Sequence, residues 1–369
     1  MLKQIISFCR KEAVLCISAI CALITMLLVP PDSEYAGYID LHVLILLFCL
    51  MTVIEGFQAC GVFRSMTYQL LRKNQNGRIL AVVLVLLPFF SSMLVTNDVA
   101  LLVFVPFTLG LLTQMNCIKY AIPVLVLQTI AANLGSMATP VGNPQNLFLY
   151  SAYELSAGEF FSVTLPLTFI SGICLVVFSA FFMPKKLPEI NLESEKLQSP
   201  KNLAIYTILF ILCLLTVFRV IPHIALLIAV ILSVAIIDRR LLKKPDYALL
   251  LTFVCFFIVS GNLGRVEEVN LFLQTLLNKS TLFTATGASQ IISNVPAAVL
   301  LSGFTEEWKP LLEGVNIGGL GTPIASLASL ITLKQYLHYP EANAKKFILF
   351  FTVANIIGLI ILLTVAYII

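Results

Sequence analysis

Long apolar stretches alternate with short polar segments along this chain. Most of the stretches approach the roughly 20 residues that carry a helix across a hydrocarbon layer. Residues 13–29, 41–63, 121–150, 163–183, 203–218, 222–237, 247–264, 312–333 and 347–368 are candidates of this kind. Two more segments, 79–112 and 281–304, are as apolar but carry an Asn-bearing interruption. The segment at Ala13–Val29 is too long for a signal-peptide core and lacks a small-residue cleavage site, so it reads as a retained span. The pattern predicts an all-α integral membrane protein.

The interruptions are written twice. MLVTNDVALL (93–102) is followed by NLGSMATPVGN (133–143), and QIISNVPAAVL (290–300) by NIGGLGTPIAS (316–326). Thr96-Asn97 answers Ser293-Asn294; Asn133, Gly135, Thr139 and Pro140 answer Asn316, Gly318, Thr322 and Pro323 without a gap. In hydrocarbon every backbone polar group has to be satisfied within the protein, so such irregular backbone survives only when buried or lining a cavity. A matched pair of interruptions in corresponding positions of two halves marks the binding site of a secondary transporter.

Composition fits that reading: hydrophobic residues make up 59% of the chain and charged residues 11%, against roughly a quarter charged in soluble domains. The nine cysteines are scattered, mostly in apolar segments, and no CxxC or metal-ligand spacing occurs. The net charge of +4 matters less than its distribution. If 79–112 and 281–304 each dip in and return on the same side, segments 1–12, 64–78, 113–120, 184–202, 238–246 and 334–346 share one face. These carry 19 of the 23 Lys and Arg residues; the opposite loops carry only Arg219, Arg265, Lys279 and Lys309. The positive-inside rule then predicts a multi-pass protein of the cytoplasmic (inner) membrane, with the N-terminus cytoplasmic and the C-terminus outside.

Two inverted halves are expected: a first repeat over 1–183 (hairpin 79–112, broken helix 121–150) and a second over 222–369 (hairpin 281–304, broken helix 312–333). A linker and linking span fill 184–221, with 184–202 as a cytoplasmic strap. Segments 64–78 and 265–280, each preceding a hairpin, suit short interfacial helices. Entering from opposite faces, the tips at Asn97 and Asn294 can meet near the midplane.

Among polar residues Asp98 stands out, since a carboxylate in a hydrophobic hairpin costs roughly 2.5–3.5 kcal/mol on insertion scales and usually marks an ion or proton path. Its bland alternative is a cap on the second arm. Glu55, within 41–63, is a candidate coupling residue or an interhelical hydrogen-bonding group. Asn97, Asn294, Thr96 and Ser293 offer amide and hydroxyl groups suited to an oxyanion or a partly dehydrated alkali ion. Thr139-Pro140 and Thr322-Pro323 free backbone carbonyls to face a solute. Asn133, Ser136, Asn143, Asn146 and Asn316 surround those breaks. His42, His223 and His338 fall near predicted helix ends, and Arg64 and Arg219 read as snorkelling residues. No HExxH, GxSxG or GxxxxGK[ST] motif occurs, and no second membrane Asp could form a dyad with Asp98. The chain is therefore not read as an enzyme. A channel is the competitor from another class, because paired half-helices also build pores.

VTNDVALLVFVPF (95–107), ISNVPAAVLL (292–301) and GVNIGGLGTPIASLASL (314–330) resemble the ion transporter superfamily, most nearly its arsenite permease and sodium–proton antiporter branch. The likeness covers nearly the whole chain in architecture, with motif-level similarity confined to the hairpins and broken helices. It implies alternating access, in which a hairpin-bearing transport domain moves against a scaffold. In the dicarboxylate–sodium branch each tip resembles a Ser-Asn-Thr signature that binds carboxylate and helps hold sodium. Here Asp98 and Val295 stand at the last position of that signature. One carboxylate contact thus becomes repulsive and another is lost, which favours a neutral oxyacid such as arsenite, or a cation.

The expected protein is a secondary active transporter of a small inorganic ion or oxyanion, coupled to H+ or Na+. A Na+-coupled di- or tricarboxylate transporter is the alternative. The candidate site comprises Thr96, Asn97, Asp98, Asn133, Thr139, Asn143, Ser293, Asn294, Asn316 and Thr322, with Glu55 as a coupling candidate. Na+ would lie near Asn97, Asp98 and Asn294. No cofactor is expected beyond the coupling ion. The partners are the solute and the lipid bilayer, with no nucleic acid and a homodimer as a candidate assembly.

Overall fold

The computed structural model describes residues 12–62, 65, 76–182, 199–339 and 341–368, and these are helical with no strand among them. In chain order the helices are α1 (Ala13–Leu28), α2 (Tyr35–Tyr38), α3 (Leu41–Ala59), α4 (Gly77–Ser91), α5 (Asn97–Gln114), α6 (Ala121–Ser136), α7 (Pro144–Ala152), α8 (Ala157–Ser179) and α9 (Pro200–Val217). They continue as α10 (His223–Asp238), α11 (Tyr247–Gly264), α12 (Glu267–Lys279), α13 (Thr281–Ile292), α14 (Asn294–Ser302), α15 (Trp308–Ile317), α16 (Leu327–Leu337) and α17 (Ala344–Ile368). Among the described residues, seven helical stretches are long and apolar enough to cross a membrane, and α5 is one of them. The protein is an all-α multi-pass membrane protein. α12 coincides with the segment expected before the second hairpin. Most of 64–78, with Arg64, and most of the 184–202 strap lie outside the described residues.

Local chemistry explains where the helices stop. Asn143 accepts a hydrogen bond from the Asn146 N–H and Pro144 follows at the first helical position, so a new helix has to begin there. The 121–150 stretch is thereby divided into α6 and α7. The 312–333 stretch also divides, into α15 and α16, with Gly321 at a φ of 108° inside the break. At the end of that region of the sequence, α8 opens on a capping box made by Ser156 and Glu159.

Side-chain contacts fix the direction of the paired helices. Gln128 of α6 reaches Leu84 of α4 and Thr108 of α5. Gly135 abuts Phe89, while Asn133 meets Asn97. α4 therefore runs alongside α6 in the same direction, α5 runs against it, and the chain turns back on itself at 92–96. In the second half Gly314 abuts Leu282 and Ala285, and Gly318 abuts Ser289, so α13 parallels α15. α15 starts a few residues after α14 ends, which returns α14 to the side from which α13 came. At 1.5 Å per residue, α13 and α14 span only about 18 Å and 14 Å, short of a hydrocarbon core of roughly 30 Å.

The buried apolar residues form two main cores, and neither follows the division of the sequence into halves. The first joins α3, α7, α9, α10, α11, α14 and most of α15. The second joins α4, α5, α6, α16 and α17, with α8 contributing to both. Each broken helix thus sends one piece into each core. The two breaks lie on the seam.

Candidate functional site

The contacts that seat each turn on its break recur without change of register. In the first half the Asn97 N–H donates to the Gly142 carbonyl (3.3 Å); in the second the Asn294 N–H donates to Ala325 (2.9 Å). The Thr139 hydroxyl donates to the Met93 carbonyl, and that of Thr322 to the Gln290 carbonyl (3.1 Å). Both threonines of the Thr-Pro pairs therefore clamp a break to a hairpin turn. The turns themselves differ. The second is made by Ser293 alone, at a φ of 76°, a conformation that costs a non-glycine residue about 1–3 kcal/mol and has to be held by its surroundings.

Between the breaks lies a buried amide network that crosses from one half to the other. Asn97 Nδ2 donates to Asn133 Oδ1 (2.9 Å), which also accepts from the Ser326 hydroxyl (3.0 Å). Asn143 Nδ2 donates to Asn316 Oδ1 (3.3 Å), completing the equivalent pair from the other side. Asn133 Nδ2 reaches the Gly319 carbonyl (3.3 Å), and Asn316 Nδ2 reaches Asn146 Oδ1 (2.7 Å). Asn294 adjoins the same place: a methyl group on Gly319 would come within 3.0 Å of its Nδ2. Its Oδ1 accepts from the Val295 N–H. Asn97, Asn133, Asn143, Asn294 and Asn316 are all buried. Such a network is stable only when its members are satisfied.

Asp98 stands in the first turn of α5, its N–H bonded to Asn97 Oδ1. Its Oδ1 is buried with no hydrogen-bond partner. Thr96 is the N-cap residue of α5, yet its side chain makes no capping bond. Glu55 is not joined to the amide network; it faces Lys244 at 3.5 Å and is one-fifth exposed. Arg219 is exposed and its guanidinium is tied to backbone. It donates to the Glu154 and Tyr150 carbonyls and lies over the Tyr150 ring, because the exposed carbonyls at the end of α7 need donors. Among the described residues no three His, Cys, Asp or Glu side chains converge as a metal cluster.

Sequence reasoning missed two residues that hold the breaks together. The sequence places Asn146 in the polar cluster without a distinct role and marks none for Gln290. The Asn146 amide donates to the Ser136, Met137 and Thr139 carbonyls of the first break. Gln290 Nε2 donates to Gly318 and Leu320 in the second, and its Oε1 accepts from the Thr322 N–H. Met137 and Leu320 are equivalent positions of the repeat, so the same orphan carbonyl is satisfied by a different helix in each half. The available signal was an unmatched amide: Gln290 stands opposite Met93 and Asn146 opposite Ser329.

Turn-back helix pairs, two broken helices and a buried amide network at their meeting point define a membrane transporter architecture, and comparison with known proteins agrees. An uncharacterized transporter of Methanocaldococcus jannaschii is 35% identical over 321 residues, covering 87% of each chain. Inner membrane protein YbiR of Escherichia coli is 29% identical over 316 residues, 82% of each. A silicon efflux transporter of Oryza sativa subsp. japonica is 37% identical over 135 residues, 37% of this chain and 27% of that protein. The citrate transporter family model matches residues 5–312, and the chain belongs to that family. It is a transmembrane transporter of the ion transporter superfamily and not an enzyme.

Proposed function

We propose that this protein is a secondary active transporter of a small inorganic ion or oxyanion, driven by exchange or cotransport of H+ or Na+. The two turn-back pairs are re-entrant hairpins entering from opposite faces, and the chain runs from a cytoplasmic N-terminus to an outer C-terminus. The observation that carries this reading is the amide network on the seam between the two cores: Asn133, Asn143 and Asn316 bond across the halves where both backbones are broken, and Asn97 joins them through Asn133. A seam is where one core can move against the other, so a solute held there would be exposed alternately to the two sides.

The coupling charge is assigned to Asp98. A buried carboxylate oxygen without a donor suits a group that takes up a proton or a cation during the cycle. The Asn97 and Asn294 amides and the broken helices at Thr139 and Thr322 would form the solute site. Asp98→Asn, reconstituted in proteoliposomes, should lose ion-driven flux while eluting as the native species in detergent. Undiminished coupled flux would overturn the assignment.

The family's name supports a second reading, Na+-coupled transport of a di- or tricarboxylate. Asp98 and Val295 weigh against it, since one repels and the other cannot bond a carboxylate. The relative named for silicon efflux supports an inorganic solute. Sodium-dependent uptake of citrate or succinate by the same vesicles would favour the carboxylate reading.

A further inference from the structure

His42 and His223 lie in the first turns of two different helices, α3 and α10, and are separated by 181 positions in the chain, yet their Nδ1 atoms lie 3.2 Å apart. The rings meet edge to face, with centroids 5.0 Å apart and an interplanar angle of 89°. Both side chains are half-buried, at the ends of helices that pack against one another. The charged side chains acting on His42 are the Asp40 carboxylate and the Arg219 guanidinium, of opposite sign.

We propose that His42 and His223 form a binding site for a first-row transition-metal ion, of which Zn2+, Ni2+ and Cu2+ are the test cases. Imidazole nitrogens bind Zn2+ at about 2.0–2.1 Å, so two donors at this separation subtend about 100° at a shared ion, close to a tetrahedral edge. Both rings bind as neutral imidazoles with the proton on Nε2. The one Nδ1 proton now shared between them moves to that ring's Nε2, with no net release. Rotation about χ2 of each ring turns both lone pairs off the line between them and toward the ion. Water completes the coordination, as befits a site with two protein ligands. Asp40 adds favourable charge; Arg219 offsets part of it.

The bound ion would staple the first turns of α3 and α10. Arg219 already holds the end of α7, the helix that carries Asn146, so added positive charge here would reach one piece of a broken helix. The site is independent of the transport assignment, since neither histidine belongs to the amide network.

The test uses the full-length protein in detergent, with any affinity tag removed. NiCl2 and ZnCl2 titrations by calorimetry at pH 7.5 should give one equivalent of binding. His42→Asn, His223→Asn and the double variant should lose it. Cu2+ bound to native protein should show an electron paramagnetic resonance spectrum split by two nitrogens. No binding by the native protein, binding that survives in the double variant, or a spectrum with other than two nitrogens overturns the proposal. If the variants do not elute as the native species, the Cu2+ spectrum of the native protein decides it.

Discussion

Replacing Gln290 isolates the contact that fastens the second hairpin to its break. Gln290→Ala strips the Nε2 donor from the Gly318 and Leu320 carbonyls and the Oε1 acceptor from the Thr322 N–H. Gly318 and Leu320 are buried, whereas Thr322 is exposed. Two buried acceptors left without donors cost about 1–3 kcal/mol each, so the loss should total roughly 2–6 kcal/mol. Gln290→Glu separates this account from simple loss of packing, because it keeps the side-chain volume and the acceptor for Thr322 but turns the donor into a second acceptor facing carbonyls. It should destabilise at least as much as Gln290→Ala. Denaturation of purified protein in mild detergent, followed by tryptophan fluorescence of Trp308 at the start of α15, reads the effect directly. The reasoning fails if either variant stays within about 0.5 kcal/mol of the native protein, the range of an ordinary surface change.

Other expectations follow from the same contacts. A methyl group at Gly135 would lie 2.0 Å from the Phe89 carbonyl oxygen, whereas one at Gly110 would meet nothing within 4 Å. Gly135→Ala should therefore lower the unfolding midpoint by the equivalent of about 1–3 kcal/mol or abolish expression, while Gly110→Ala should be neutral or better. Outside the membrane, Asp32 donates no proton but accepts from Arg265 at 2.7 Å, and that hydrogen bond holds its carboxyl below the usual carboxylate range. A folded-state pKa below the unfolded one gives a contribution that is complete above about pH 4 and fades as pH falls through the folded value. Limited proteolysis of the loop between α1 and α2 should accelerate in acid for the native protein. In Arg265→Ala it should already be fast at neutral pH.

The amino-acid pattern settled what local chemistry settles. Runs of apolar residues give helices in a medium without water, because the backbone has nowhere else to bond. Asn143-Pro144 and the two Thr-Pro passages interrupt those helices wherever they occur, since the missing donor and the cap act on their own neighbours. Recurrence of the passage was enough to pair Thr139 with Thr322 and Asn133 with Asn316 before any contact was known. Partner choice was another matter. Which helix satisfies the freed carbonyls, Asn146 from within the broken helix or Gln290 from the hairpin, depends on packing between segments distant in the chain. So does the meeting of His42 with His223, the capture of Arg219 by the end of α7, and the division of each broken helix between two cores. A periodicity reports which face of a helix is apolar, and several neighbours could cover that face equally well. Only the assembled tertiary structure, where each buried polar group has to find a donor or acceptor at about 3 Å, selects among them.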